Sequence, residues 1–420
     1  MNSKSTYIND EDRLFDHTVV SLTERARHTL KQPLKGFPHY ADTRTGEWTT
    51  TEDGFWTGGF WPGVLWLGGF FSGDLTLWQA AEEWVERLEP RVNSDSVFRG
   101  FLFYFGCSVG ADLAGSKKAV TLALDAARSL CATFRSNIGL MPLGTTAEEA
   151  HTVGENETNI DSLSASLVLA WAAEKTGDDK FKDVAIRHAL TNAHFCVRED
   201  GSVCQSASFD SQTGKVIKTY THKGFSANST WARAQAWAMM SYAYLSVLYP
   251  ENREIRDYAE KVCRWWTQNV PDDGVAYWDF DAPQEADTPK DTSATSIACY
   301  ALLTLATVLD DRQAARVYQR KARNTVKTLC RDYVAVVPRG QAEETTGAIS
   351  PAVLTRGCFD PMRGVATEHA DLGRLLPAAL PGYTDGSVAH QQTWLIPRVQ
   401  GLNAQPWDIV LSAEHLGTKS

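Results

Sequence analysis

Residues 159–179 read Asn-Ile-Asp-Ser-Leu-Ser-Ala-Ser-Leu-Val-Leu-Ala-Trp-Ala-Ala-Glu-Lys-Thr-Gly-Asp-Asp, and their reading decides the fold. Leu163, Leu167, Ala170 and Trp171 recur at the spacing of one helical face. Asn159 or Asp161 offers the side-chain oxygen that caps a helix N-terminus, and Thr176-Gly177-Asp178-Asp179 is a helix stop. The same grammar recurs on either side. Trp78, Ala81, Trp84 and Val85 make a second stripe, and Val184, Ala185, His188 and Ala189 a third. Tyr258, Val262, Trp265 and Trp266 follow, then Ile297, Tyr300, Ala301 and Leu305, then Ala314, Tyr318, Ala322 and Val326. Stops fall at Ser72-Gly73-Asp74, Tyr249-Pro250-Glu251 and Leu309-Asp310-Asp311. Helices therefore come in pairs, each pair taking roughly 50–60 residues, which is the signature of a repeat architecture. A helical repeat of this length that closes on itself is an all-α toroid, the (α/α)6 barrel, with a bowl at the inner helix ends.

Extended segments are few. Residues 201–209 and 216–220 flank Asp210-Ser211-Gln212-Thr213-Gly214 and predict a short β-hairpin. No polar linker interrupts the chain, so residues 1–420 are expected to form one domain, with an irregular C-terminal wrap over 385–420.

The formal net charge is −10, and no basic stripe is present, which argues against nucleic acid as a partner. No apolar run reaches membrane-spanning length, and the N-terminal residues lack the apolar region of a secretory signal. A cytoplasmic protein without a membrane partner is expected. The eight cysteines are scattered without a Cys-x-x-Cys pair, so free thiols are expected. Metal and phosphate motifs are absent, as is the Gly-x-Ser-x-Gly elbow, so neither metal nor organic cofactor is expected.

Four blocks carry candidate chemistry. Trp231-Ala-Arg-Ala-Gln-Ala-Trp237 sets Arg233 and Trp237 four apart, on one helical side; a guanidinium beside an indole suits an anionic ring. Trp56-Thr-Gly-Gly-Phe-Trp-Pro-Gly63 suggests a platform for stacking sugars, against the alternative of aromatic core packing. Asp161 is either a cap or a proton donor, since a carboxyl in an apolar, Trp-lined pocket stays protonated near neutral pH. Asp279 and Asp281 read as loop braces, and Asp291 as a cap.

Taken in chain order, the blocks resemble glycoside hydrolase family 88, the unsaturated glucuronyl hydrolases, over about residues 40–380. The shared positions include Ile160-Asp161, His222 with Gly224, Trp278-Asp-Phe-Asp-Ala-Pro283 and Asp291-Thr-Ser-Ala294. The resemblance implies an (α/α)6 barrel, a monomer or small homo-oligomer, and a small-molecule or oligosaccharide substrate ending in an unsaturated uronic acid. It implies Asp161 as acid/base, and Trp56, His222, Arg233 and Trp237 as substrate contacts.

Departures cluster around the bowl. Family members carry His-Asp-x-Gly-Phe with a second catalytic Asp, where this chain has Phe98-Arg99-Gly100-Phe101. Gln205 stands at a usual His, and Arg356-Gly357 at a usual His-Gly. Gly364-Val-Ala366 and Asp371-Leu-Gly-Arg374 replace later family stretches. Arg99, facing the bowl, would bind a carboxylate or sulfate, and Gln205 joins the expected substrate contacts. Glu155, Glu157 and Asp279 are the candidates to replace the lost carboxylate. A repurposed non-hydrolytic acid/base reaction and a non-catalytic carbohydrate-binding protein are the competing readings.

Overall fold

Helices that differ in sequence occupy different layers. Arg253–Asn269 and Arg312–Thr328 bury one stripe each, Ile255, Ala259, Val262, Cys263 and Trp266 in the first, Ala315, Tyr318, Ala322 and Val326 in the second. Their other faces are charged, so they lie on the outside. Ala232–Leu248 is buried on every face from Ala232 to Ser246, which requires a ring of neighbours.

The computed structural model describes residues 10–42, 45–335, 352–364 and 369–371. In chain order the helices are α1 (Asp10–Leu30), α2 (Phe60–Ser72), α3 (Leu75–Glu86), α4 (Arg99–Phe103), α5 (Val109–Leu113), α6 (Lys117–Thr133), α7 (Leu163–Thr176), α8 (Asp179–Cys196), α9 (Ala232–Leu248), α10 (Arg253–Asn269), α11 (Thr292–Ala306) and α12 (Arg312–Thr328). A π-helical turn over Tyr104–Ser108 joins α4 to α5. Among the described residues the inner layer is α2, α4–α5, α7, α9 and α11, and the outer layer is α1, α3, α6, α8, α10 and α12. Inner neighbours pack on one another, and α2 with α3, α7 with α8, α9 with α10 and α11 with α12 form hairpins. Helix α1 packs on α2 and also reaches α12, where Arg323 pairs with Glu11, bringing first and last helices together. This is an (α/α)6 barrel, and one apolar cluster runs from Phe15 to Cys358.

The turn chemistry explains the alternation. Gly73 and Gly177 end α2 and α7 at φ 70° and 71°, a conformation that suits glycine. The next residue, Asp74 or Asp178, then caps the following outer helix through its side chain. Asn252 and Asp311 cap α10 and α12 in the same way.

Two small antiparallel sheets sit on this frame. One has the order β2-β1-β7-β6, from β1 (Phe37–Ala41), β2 (Trp48–Thr51), β6 (Leu354–Gly357) and β7 (His369–Asp371). The other has the order β3-β4-β5, from β3 (Thr158–Asn159), β4 (Ser206–Phe209) and β5 (Val216–Tyr220). The expected hairpin is present as β4–β5, but β4 starts at Ser206 rather than residue 201. Asp210 closes its turn by accepting from the backbone N–H of Gln212 and Thr213. The first sheet is additional to the extended segments read from sequence. It pairs strands from opposite ends of the chain, a pairing that no local pattern reveals.

All eight cysteines are free. Among the described residues no helix is long and apolar enough to cross a membrane. The wrap expected over 385–420, and the departures at Val365-Ala366 and Leu372-Gly-Arg374, lie outside the described residues.

Candidate active site

Asp161 sits in a short 3-10 turn, Ile160–Ser162, between β3 and α7. Of the two possible caps it is Asn159 that serves, its Oδ1 accepting from Ser162 N–H at 3.1 Å. That leaves Asp161 without capping duty. The turn is anchored from both sides: Ile160 N–H donates to Gln205 O at 2.8 Å, and Asn192 Nδ2 donates to Ser162 Oγ at 3.1 Å. His188 accepts from Met141 N–H at Nδ1, so its Nε2 carries the proton and donates to Ser162 O at 3.1 Å. Burial pushes its pKa down to about 4. Position and orientation of the Asp161 backbone are thus fixed by a fully buried polar network.

Asp161 opens into a cavity of about 250 Å³, lined by Trp56, Phe98, Phe101, Glu149, Asp161, Lys223, Trp231 and Phe359. Its walls are aromatic. Trp56 and Phe359 stack at 6.0 Å with planes 20° apart, and Trp56 lies 5.5 Å from Phe101. Gly100 makes this wall possible, since a Cβ there would lie 2.2 Å from the Ser164 carbonyl carbon of α7. Phe55, at φ 50°, is held in a strained conformation next to Trp56. Arg91 secures it, donating to Phe55 O and Asp53 Oδ2, both at 2.9 Å, and to Glu148 Oε1 at 3.1 Å.

The polar side of the cavity is a connected set. Gln205 Nε2 donates to Asp161 Oδ2 at 3.4 Å, while its Oε1 accepts from Lys223 N–H at 3.0 Å. Lys223 Nζ binds Glu149 Oε1 and lies 4.2 Å from the Phe359 ring centre and 5.5 Å from that of Trp231. Glu149 Oε2 accepts from Asn159 Nδ2 at 2.7 Å, and His222 Nε2 lies 3.1 Å from it. His222 Nδ1 is 2.8 Å from Ser206 Oγ.

These contacts push the two carboxyls apart. Burial, and then the negative charge of Glu149, raise the pKa of Asp161 to about 6, against the opposing pull of Lys223, His222 and Gln205. Burial also works to raise that of Glu149, but Lys223 and His222 outweigh it and hold Glu149 well below the ordinary carboxylate range. One carboxyl is held partly protonated near pH 6 and the other ionised, the division that acid/base sites use.

The expected residues do not all meet here. Trp56 and Asp161 line the cavity; Gln205 touches Asp161, and His222 lies against Glu149. Arg99 is turned away. It is 1 % exposed and donates to Val92 O at 2.5 Å, Ser96 O at 2.9 Å and Ser129 Oγ at 2.6 Å, with burial lowering its pKa to about 10. One residue is about 100° of helix turn, and Phe98 takes the inward place. Arg233 is also withdrawn from the expected role: it pairs with Asp291 through two bonds, 3.0 and 2.7 Å, and donates to Cys358 O. Trp237 packs behind the wall, 4.7 Å from Phe101.

Of the three candidate replacement carboxylates, none lines the cavity. Glu155 is exposed, Glu157 accepts from the Tyr220 hydroxyl, and Asp279 braces a loop through Phe225 N–H and Ser229 Oγ. Asp281 and Asp291 are likewise structural, accepting from Thr230 N–H and Ala294 N–H. Glu149 and Lys223 are the residues sequence reasoning missed. Lys223 lies between His222 and Gly224, two of the shared positions; Glu149 sits in Ala-Glu-Glu-Ala (147–150), which carries no signal beyond a solvated acidic loop. Among the described residues no group of three or more His, Cys, Asp or Glu side chains could hold a metal ion.

The profile of Glycosyl Hydrolase Family 88 matches residues 143–352. An unsaturated glucuronyl hydrolase of Bacillus sp. (strain GL1) is 34% identical over 345 residues, covering 79% of this chain and 90% of the relative. An unsaturated chondroitin disaccharide hydrolase of Streptococcus agalactiae serotype III is 27% identical over 297 residues, covering 67% and 72%. The crystal structure of the Bacillus sp. GL1 enzyme superposes with a TM-score of 0.79 at 28% identity, over 90% of this chain and 98% of the other.

Proposed function

The chain belongs to glycosyl hydrolase family 88, and on that footing we propose that it hydrolyses oligosaccharides ending in an unsaturated uronic acid, with Asp161 as acid and base. The observation that carries the reading is the raised pKa of Asp161, about 6, in a cavity walled by Trp56, Phe98, Phe101, Trp231 and Phe359. The names of the relatives, hydrolases of unsaturated glucuronyl and chondroitin saccharides, supply the substrate class.

The unsaturated ring is flattened by its C4=C5 bond and suits stacking on an aromatic face, which the cavity-lining rings of Trp56 and Phe359 offer. Its carboxylate needs a cation, and Lys223 is the cationic side chain that lines the cavity. Protonated Asp161 gives its proton to C4, where the π pair forms the new C–H bond. The positive charge left on C5 is shared with the ring oxygen. Water attacks C5 and surrenders a proton to the Asp161 carboxylate, which restores the acid. The C5 hemiketal then opens: the C5–O bond breaks to a ketone, and the ring oxygen takes the proton released from the C5 hydroxyl. Carbon 1 is now a hemiacetal, whose collapse to an aldehyde passes a proton to the departing aglycone. No bond to the anomeric carbon breaks in the protonation step, so an anomeric nucleophile is not required.

The test is loss of ultraviolet absorbance from unsaturated uronyl disaccharides. Wild-type enzyme should bleach the signal, and Asp161→Asn should slow it about 10²–10⁴-fold, the usual worth of a general acid. Because the acid must carry its proton, kcat/KM should be flat below pH 6 and fall about tenfold per unit above it. No bleaching over a disaccharide panel at high enzyme concentration would sink the proposal.

A further inference from the structure

Protonating C4 creates a cation, and an enzyme accelerates that step with charge placed where the cation develops. Phe98 offers none, and Asp161 holds a proton until the moment of transfer. Glu149 is the other carboxylate that lines the cavity, yet its charge is masked by Lys223. That same lysine is the cation the substrate's carboxylate needs. The bonds around Glu149 are divided in a way that resolves the conflict. Asn159 donates to Oε2 and His222 lies against Oε2, whereas Lys223 is on Oε1. Removing Lys223 would therefore leave Glu149 anchored by one oxygen, with the other bare toward the cavity.

We propose that the substrate's carboxylate draws Lys223 away from Glu149, and that the freed Oε1 then faces the C5 cation and orients the attacking water. This rests on the uronate reading above. Uncovering a buried anion opposes ground-state binding, and the cation compensates only as it forms, which is differential stabilisation of the transition state. Glu149 stays covalently unchanged; Asp161 gives and receives the proton. The charged and titratable groups around Asp161 are Glu149, Lys223 and His222, with the Cys196 thiol near and Gln205 bonded to it. Around Glu149 they are Lys223, His222, Asp161, Glu148 and Tyr220.

The experiment is steady-state kinetics on an unsaturated uronyl disaccharide over a pH series, for wild type, Asp161→Asn and Glu149→Gln. Glu149→Gln should lower kcat about 100-fold or more and also lower KM, because Lys223 is already free for the substrate. Its alkaline limb should move below pH 6, since the anion that raises Asp161 is gone. A merely structural role would not lower KM while it lowers kcat, and the shifted limb reports only that the charge of Glu149 is gone. Glu149→Gln with kcat within about threefold of wild type, or with KM rising as kcat falls, overturns the proposal. Should Glu149→Gln fail to fold, Glu149→Asp carries the test. It sets the anion one carbon back, so kcat should fall about 10–100-fold with the limb still near pH 6, and wild-type kcat overturns the proposal. An inactive wild type would instead defeat the uronate reading; an active wild type with inactive Asp161→Asn and active Glu149→Gln defeats only this inference.

Discussion

Two buried ion pairs flank the same bowl, Arg233–Asp291 and Lys223–Glu149, and burial does not separate them. Arg233 is 4 % exposed and Asp291 0 %; Lys223 is 6 % and Glu149 8 %. What differs is how their remaining bonds are spent. Arg233 is forked onto both oxygens of Asp291 and onto Cys358 O, while Asp291 also caps α11 through Ala294 N–H. That pair ties α9, α11 and the segment after β6 together. Lys223 reaches one oxygen of Glu149, and its other neighbours are the ring faces of Phe359 and Trp231 on the cavity wall. A saturated pair is architecture, and a pair with spare capacity facing a cavity is available for chemistry.

Substitutions can break that distinction. Arg233→Met should strand Asp291 and cost about 3–5 kcal/mol of stability, read as a lower midpoint in urea or thermal unfolding. A near-wild-type midpoint would show that Arg233 is not architectural. Lys223→Met should leave a midpoint much closer to wild type but raise KM about 10–100-fold, the worth of a lost hydrogen bond between charged groups. Equal melting losses for the two variants would erase the contrast. The smallest effect is expected at Asn159→Asp. Asp keeps the cap, while an oxygen replaces the Nδ2 donor on buried Glu149 Oε2, so the unfolding midpoint should fall, by less than for Arg233→Met. The added carboxylate would sit against Glu149 Oε2 and raise Asp161 further, moving the alkaline limb upward from pH 6 by on the order of one unit. An unmoved limb would mean that Asn159 only caps.

The barrel was legible because its period and stops are local. Leu163, Leu167, Ala170 and Trp171 repeat every three or four residues, and Gly177 and Asp178 chemically require a break. Asp161 was legible as a residue with two readings, and the cap at Asn159 removes the first of them. The cavity's electrostatics were much less so. Arg99 and Phe98 are adjacent, and composition cannot say which of them a helical turn presents inward. Arg233 looked like a ligand for anions and is one, but its anion is Asp291, 58 residues later. Glu149 was hidden because its partners come from two distant segments, Asn159 in β3 and His222-Lys223 just after β5, that the β3–β4–β5 sheet brings together.

Arg91 lies outside the cavity, yet one guanidinium holds the Phe55 carbonyl beside Trp56 and the Glu148 carboxylate beside Glu149. The stacking floor and the anion are therefore mounted on a common bracket, and neither can be repositioned alone through it. A random-substitution library screened for altered sugar preference should return hits at position 91, remote from any sugar, because loosening that bracket changes the gap and the field in a single step.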